Sequence, residues 1–111
     1  FCVQGDRDHV LPDAHAVDAA GACAIVVEGV PSAVGAAVTE AVGVPTIGIG
    51  AGPGCDGQVL VWHDLLGLFD GFRPKFVKRY AELGDASLAA VRAYCDDVRS
   101  GRFPTAEHGF K

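Results

Sequence analysis

The stretch Ala24-Ile25-Val26-Val27-Glu28-Gly29-Val30-Pro31 decides how this chain is read. An apolar run containing β-branched residues ends in a carboxylate, then in glycine and proline. Such a run, closed by turn residues, predicts a strand over 24–28 that is buried on both faces, as in a parallel sheet covered by helices. Glu28 then stands at the carboxyl end of that strand, where α/β folds gather their chemistry. A rim glutamate facing water is the other reading of the same residue, since glutamate is seldom buried without a partner.

Upstream, residues 1–9 pass from an apolar-polar stretch into Asp6, Arg7, Asp8 and His9, and are expected to form a loop. Asp13 is placed to cap a helix over 14–20, with Gly21 as the residue that stops it. Downstream, Ser32 is placed to cap a helix whose Val34, Ala37, Val38, Ala41 and Val42 repeat at three- and four-residue intervals, one apolar stripe to lay on a sheet. Gly43 ends it. Thr46-Ile47-Gly48-Ile49-Gly50 predicts a second strand, and glycine within a strand marks close approach of a backbone or a ligand. Ala51-Gly52-Pro53-Gly54 must be loop. The glycines miss the dinucleotide fingerprint, because its third glycine falls on Pro53 or Cys55, and no P-loop lysine follows.

Gln58-Val59-Leu60-Val61-Trp62 predicts a third strand, with His63 and Asp64 at its end. His63 reads as a rim residue or an acid-base group, and Asp64 as the cap of a turn over 65–68. No second His or Cys stands at ligand spacing, which argues against zinc. Phe76, Val77 and Tyr80 suggest a short amphipathic helix stopping near Gly84, with Arg73, Lys75, Lys78 and Arg79 as its solvated face. Asp85 or Ser87 would cap a final helix presenting Leu88, Val91, Cys95 and Val98 on one side, stopped by Gly101 and Phe103-Pro104. The order α-β-α-β-β-α-α points to part of a parallel α/β structure. The link over 51–57 is shorter than the dozen or so residues that a parallel crossover usually takes. Either the pairing is atypical or a terse barrel turn lies there.

With 111 residues the chain is expected to be a single, partial domain. Half of it is hydrophobic and 21% is charged, which suits a piece of a larger buried structure or a subunit of an assembly. It opens on Phe1 and holds no methionine, so sequence ahead of Phe1 is expected. A net charge of −5 argues against a nucleic-acid partner. No apolar run approaches the ~18 residues of a membrane span, and no signal peptide is visible. Cys2, Cys23, Cys55 and Cys95 form no C-x-x-C pair. With Cys23 and Cys95 expected on apolar faces, reduced thiols in a cytoplasmic protein follow.

Val3-Gln4-Gly5, Ala20-Gly21-Ala22, Val27-Glu28-Gly29-Val30-Pro31, the long run from Pro45-Thr46-Ile47-Gly48-Ile49-Gly50 through Trp62-His63-Asp64, Pro74-Lys75-Phe76-Val77-Lys78-Arg79-Tyr80, Phe103-Pro104 and Glu107-His108 together resemble the ketopantoate hydroxymethyltransferase family. The resemblance runs nearly end to end but corresponds to the carboxyl-terminal portion of that family's chain. It implies the last part of a (βα)8 TIM barrel of the phosphoenolpyruvate/pyruvate type, with about three parallel strands, flanking helices and a brief link between the last two strands. It implies transfer of a hydroxymethyl group from methylenetetrahydrofolate to 3-methyl-2-oxobutanoate in pantothenate synthesis, using Mg²⁺ whose ligands lie on earlier strands, in a cytoplasmic homo-oligomer. The position matching the family's general base is Glu28. A base held close to the C–H, with a cation on the carbonyl oxygen, is what deprotonation beside a ketone needs, and a carboxylate kept dry is the stronger base. Gly29 and Gly109 depart from the family's usual Cys and Ser, and Asp6 from its Arg. Two other readings remain at this stage: a non-catalytic truncated barrel fragment, or another 2-oxo acid enzyme of the same superfamily.

Overall fold

The computed structural model describes residues 2–3 and 7–110. Its contacts divide into two units, Phe1–Val61 with Pro74–Val77, and Trp62–Arg73 with Lys78–Lys111.

The first unit is built on a four-stranded sheet in the order β1-β2-β3-β4, comprising Cys2–Val3, Ile25–Glu28, Thr46–Ile49 and Gly57–Gln58. Every neighbouring pair is parallel, with Val3 opposite Val27, Glu28 opposite Ile49, and Gly48 opposite Gln58. Helix α1 (Arg7–Ala19) joins β1 to β2, and α2 (Ser32–Ala41) joins β2 to β3. Both helices lie on one face of the sheet, where Val10 and Ala14 of α1 and Val34 and Val38 of α2 close over Ile25 and Val27. The expected α/β arrangement of parallel strands with flanking helices is therefore present. The helix-to-strand turn at Gly21 is also as expected. Its N–H reaches the Asp18 carbonyl at 2.9 Å and the Ala22 N–H the Val17 carbonyl at 3.3 Å, the hydrogen-bond pair that closes a helix through a following glycine.

Several boundaries differ from the sequence expectation. Strand β2 is buried on one face: Ile25 and Val27 are fully buried, whereas Val26 and Glu28 are half-buried. The same alternation runs along β3, with Thr46 and Gly48 buried and Ile47 and Ile49 half-buried. Among the described residues of this unit, no helix lies over that second face. Cys2–Val3, expected to be loop, forms an edge strand, while residues 1 and 4–6 of that expected loop lie outside the described residues. Helix α1 starts at Arg7, so Asp13 lies inside it and caps nothing. Burial of Val10 and Ala14, four residues apart, offsets the hydrogen bond lost at Pro12. Pro31 occupies the cap position of α2, and no side chain caps it. The third strand is in register with β3 only over Gly57–Gln58, with the Val59 N–H adding a bond to the Gly48 carbonyl at 3.0 Å. Val59 and Val61 beyond it are 45% and 52% exposed.

The parallel crossover from β3 to β4 needs no helix. Residues 50–56 form a strap laid directly on α2, and the glycines make that approach possible. A Cβ at Gly35 would run into the Ala51 carbonyl oxygen, and one at Gly52 into the Ser32 side chain, while one at Gly54 would lie 2.8 Å from Ala36 Cβ. Close backbone approach accounts for these glycines.

The second unit holds α3 (Trp62–Leu65), α4 (Leu83–Arg99) and a 3-10 turn over Ala106–His108. Trp62 thus opens a helix instead of closing a strand, and Asp64 lies within it. Residues 76–80 are not helical. The basic cluster is not one solvated face either: Arg79 is half-buried, with Nη2 donating to the Phe69 carbonyl at 2.6 Å and Nη1 3.3 Å from Glu82 Oε2. Lys78 Nζ sits 4.9 Å from the centre of the Tyr80 ring. Helix α4 begins before the expected cap residues, and its apolar stripe is open, with Leu88, Val91 and Val98 all exposed. Cys23 is exposed instead of lying on an apolar face, and Cys95 is half-buried. Among the described residues, no helix is long and apolar enough to cross a membrane.

Candidate active site

The amino and carboxyl ends of the parallel strands use their carboxylates differently. At the amino end of β3, Asp56 Oδ2 accepts from the Thr46 N–H at 2.9 Å and lies 3.2 Å from the Thr46 hydroxyl, which accepts from the Asp56 N–H at 3.2 Å. The Thr46 hydroxyl also stands 2.7 Å from that of Thr39 on α2. This carboxylate is committed to holding strap, strand and helix together.

At the carboxyl end, Glu28 is the last residue of β2. It shares the uncovered sheet face with Val26 and stands beside Ile49, its register partner on β3. The chain then turns away: the Gly29 N–H donates to the Ile49 carbonyl at 2.9 Å, which ties the two strand ends together directly behind the glutamate. The side chain is half-buried, neither sealed in the helix-side core nor carried out on a loop. The rule that chemistry collects at the carboxyl ends of parallel strands singles out this residue.

Two open clefts flank the strand ends. One, of about 530 Å³, is lined by Val30, Pro31, Ser32, Gly50, Lys75 and Phe76, with Gly52. The other, of about 410 Å³, runs along the strap past Cys55, Gln58 and Leu60. Gly50, Gly52 and Phe76 line both. Sequence reasoning missed Phe76 and Lys75 as site residues, because their spacing reads as an amphipathic helix. Nothing in the sequence tells that Gly50 leaves room for the ring. His63 and Asp64 belong to α3 in the second unit. Among the described residues, no three His, Cys, Asp or Glu side chains are grouped as a metal centre requires. The described residues thus bring together no cluster of three such groups around one point.

Parallel strands with helices on one face define an α/β protein, with Glu28 as the candidate at a strand's carboxyl end. The particular family follows from sequence likeness. The pattern of ketopantoate hydroxymethyltransferase matches residues 2–106, and the chain belongs to that family. The 3-methyl-2-oxobutanoate hydroxymethyltransferase of Moorella thermoacetica is 56% identical to it over 115 residues, covering 100% of this chain and 43% of the relative. The proteins of the same name from Pelobacter propionicus and Ruegeria sp. are 57% and 58% identical, each covering 99% of this chain, and 42% and 40% of the relatives. The chain thus spans about two-fifths of the length of the curated relatives it matches.

Proposed function

We propose that this chain supplies the closing part of a single (βα)8 barrel domain that acts as a 3-methyl-2-oxobutanoate hydroxymethyltransferase, with Glu28 as general base. The strand order runs in sequence without reversal, and α1 and α2 pack on the same face. A doubly wound sheet reverses its order and takes helices on both faces, whereas a barrel keeps every helix outside. The face bearing Val26, Glu28, Ile47 and Ile49 is then the lumen side, and the edges at β1 and β4 are where further strands join.

One observation carries the assignment of the base: Glu28 ends its strand on the face away from the helices, beside an apolar residue and at the carboxyl end. In the proposed step the proton on C3 of 3-methyl-2-oxobutanoate passes to the Glu28 carboxylate. Water breaks the two C–N bonds of methylenetetrahydrofolate, leaving tetrahydrofolate with its nitrogens protonated and the one-carbon unit at the oxidation level of formaldehyde. The electron pair left on C3 forms the new C–C bond to that carbon, and the oxygen that came from water takes up a proton to become the hydroxyl of 2-dehydropantoate. Mg²⁺ held by residues outside this chain would draw off charge developing on the carbonyl oxygen of the oxo acid. The exposed apolar stripe of α4 supports a homo-oligomeric enzyme.

The test is the half-reaction without folate. In the protein carrying this chain, Glu28→Gln is expected to slow deuterium exchange at C3 of the oxo acid by about 10²–10⁴, the usual contribution of a positioned base, while oxo-acid binding persists. Exchange followed by NMR at the parent's rate would remove Glu28 from the mechanism.

A further inference from the structure

We propose that Phe76 and Lys75 form the seat of the one-carbon carrier, a flat heteroaromatic ring system with an anionic tail. This rests on the hydroxymethyltransferase reading above and adds a binding site to it.

Phe76 is 46% exposed, yet its ring is closely fitted on one side. A Cβ at Gly50 would lie 2.8 Å from Phe76 Cδ1 and 3.1 Å from both Cγ and Cε1, so the ring lies against bare backbone at the end of β3. Its direction is held by the next residue: Val77 is 4% exposed, and its N–H donates to the Pro74 carbonyl at 3.0 Å. The ring lines both clefts. Open aromatic surface, anchored beneath and bordered by the apolar Val30 and Pro31, suits a flat aromatic partner, which aromatic rings take in offset or edge-on contact.

Lys75, also lining the larger cleft, is exposed and makes no ion pair among the described residues. An ammonium next to an apolar wall matches a ligand that is aromatic at one end and a carboxylate at the other. The small aliphatic oxo acid offers no ring for Phe76. Position favours the carrier as well. Gly50 directly follows Ile49, the register partner of Glu28. A ring held over Gly50 therefore lies at the same, carboxyl, end of the sheet as Glu28, the end at which the one-carbon donor has to meet the oxo acid.

The test uses the protein carrying this chain, with tetrahydrofolate binding followed by calorimetry and steady-state kinetics against both substrates. Phe76→Ala is expected to weaken tetrahydrofolate binding and raise KM for methylenetetrahydrofolate by about tenfold, a lost aromatic contact, without a matching rise in KM for the oxo acid. Phe76→Tyr is expected to stay close to the parent. Phe76→Leu, which keeps apolar bulk without the ring, is expected to resemble Phe76→Ala and covers the case in which Phe76→Ala fails to fold. Lys75→Gln is expected to weaken tetrahydrofolate about threefold, the scale of an exposed ion pair, and to flatten the salt dependence of its binding. Unchanged tetrahydrofolate binding in Phe76→Leu, or equal rises in both KM values, would overturn the seat and leave the ring as packing over Gly50. Failure of Glu28 is separate: exchange surviving in Glu28→Gln removes the base, while folate loss in Phe76→Leu still marks the seat.

Discussion

Thr46 is fully buried, and the network through its hydroxyl shows what one polar atom contributes to this sheet. Thr46→Val keeps the shape but removes the acceptor for the Asp56 N–H and the partner of Thr39. That is expected to cost about 1–3 kcal/mol, the penalty of leaving buried polar groups unpaired, and a lower urea midpoint at unchanged slope would measure it. Thr46→Ser, which retains the hydroxyl, is expected to recover most of the loss. An unchanged midpoint in Thr46→Val would show the network to be dispensable. Asp56 and Glu28 illustrate what a sequence discloses about single residues. Glu28 is legible because it terminates an unmistakable strand. Asp56 is not, because its partner lies ten residues back and meets it only once the strap has folded over α2.

At the scale of elements, legibility follows where the packing partners are. Strand β2, helix α2 and strand β3 pack on one another inside this chain, so local pattern and tertiary demand agree. The start of α1 was hidden by a charged run and a proline that burial of Val10 and Ala14 overrides. Apolar residues 59–61 carry a strand pattern that their own sequence cannot distinguish from a continuing ladder, whereas the register with β3 ends at Gln58. The strap makes the sharpest element-scale prediction. Gly→Ala inside a helix ordinarily stabilises by about 1 kcal/mol. At Gly35 the added methyl would meet the Ala51 carbonyl oxygen, and forced overpacking costs about 1–3 kcal/mol. Gly35→Ala is therefore expected to lower the melting temperature, with the opposite sign to the helix propensity scale. A rise would show that the strap lifts freely from α2.

For the molecule as a whole, a sheet with helices on one face has solved only half of its burial problem. Val26, Ile47 and Ile49 leave apolar surface half-open beside Glu28. The sheet ends in edge strands at β1 and β4, and Val59 and Val61 follow the latter in the open. Unpaired strand edges with apolar neighbours are templates for association, and contiguous apolar surface of this kind marks an interface. The 111-residue chain purified by itself is therefore expected to associate as its concentration rises and to transfer no hydroxymethyl group. Sedimentation velocity over a wide concentration range, with product measured in the same samples, reads both. Aspartate at Ile47 separates two sources of that association. If the lumen face drives it, Ile47→Asp reduces the sedimentation coefficient at high concentration. If the edge strands or the α4 stripe drive it, the coefficient does not move. A monodisperse, active 111-residue monomer would mean that this sheet does not need the rest of a barrel, and the placement of Glu28 in a lumen would fall with it.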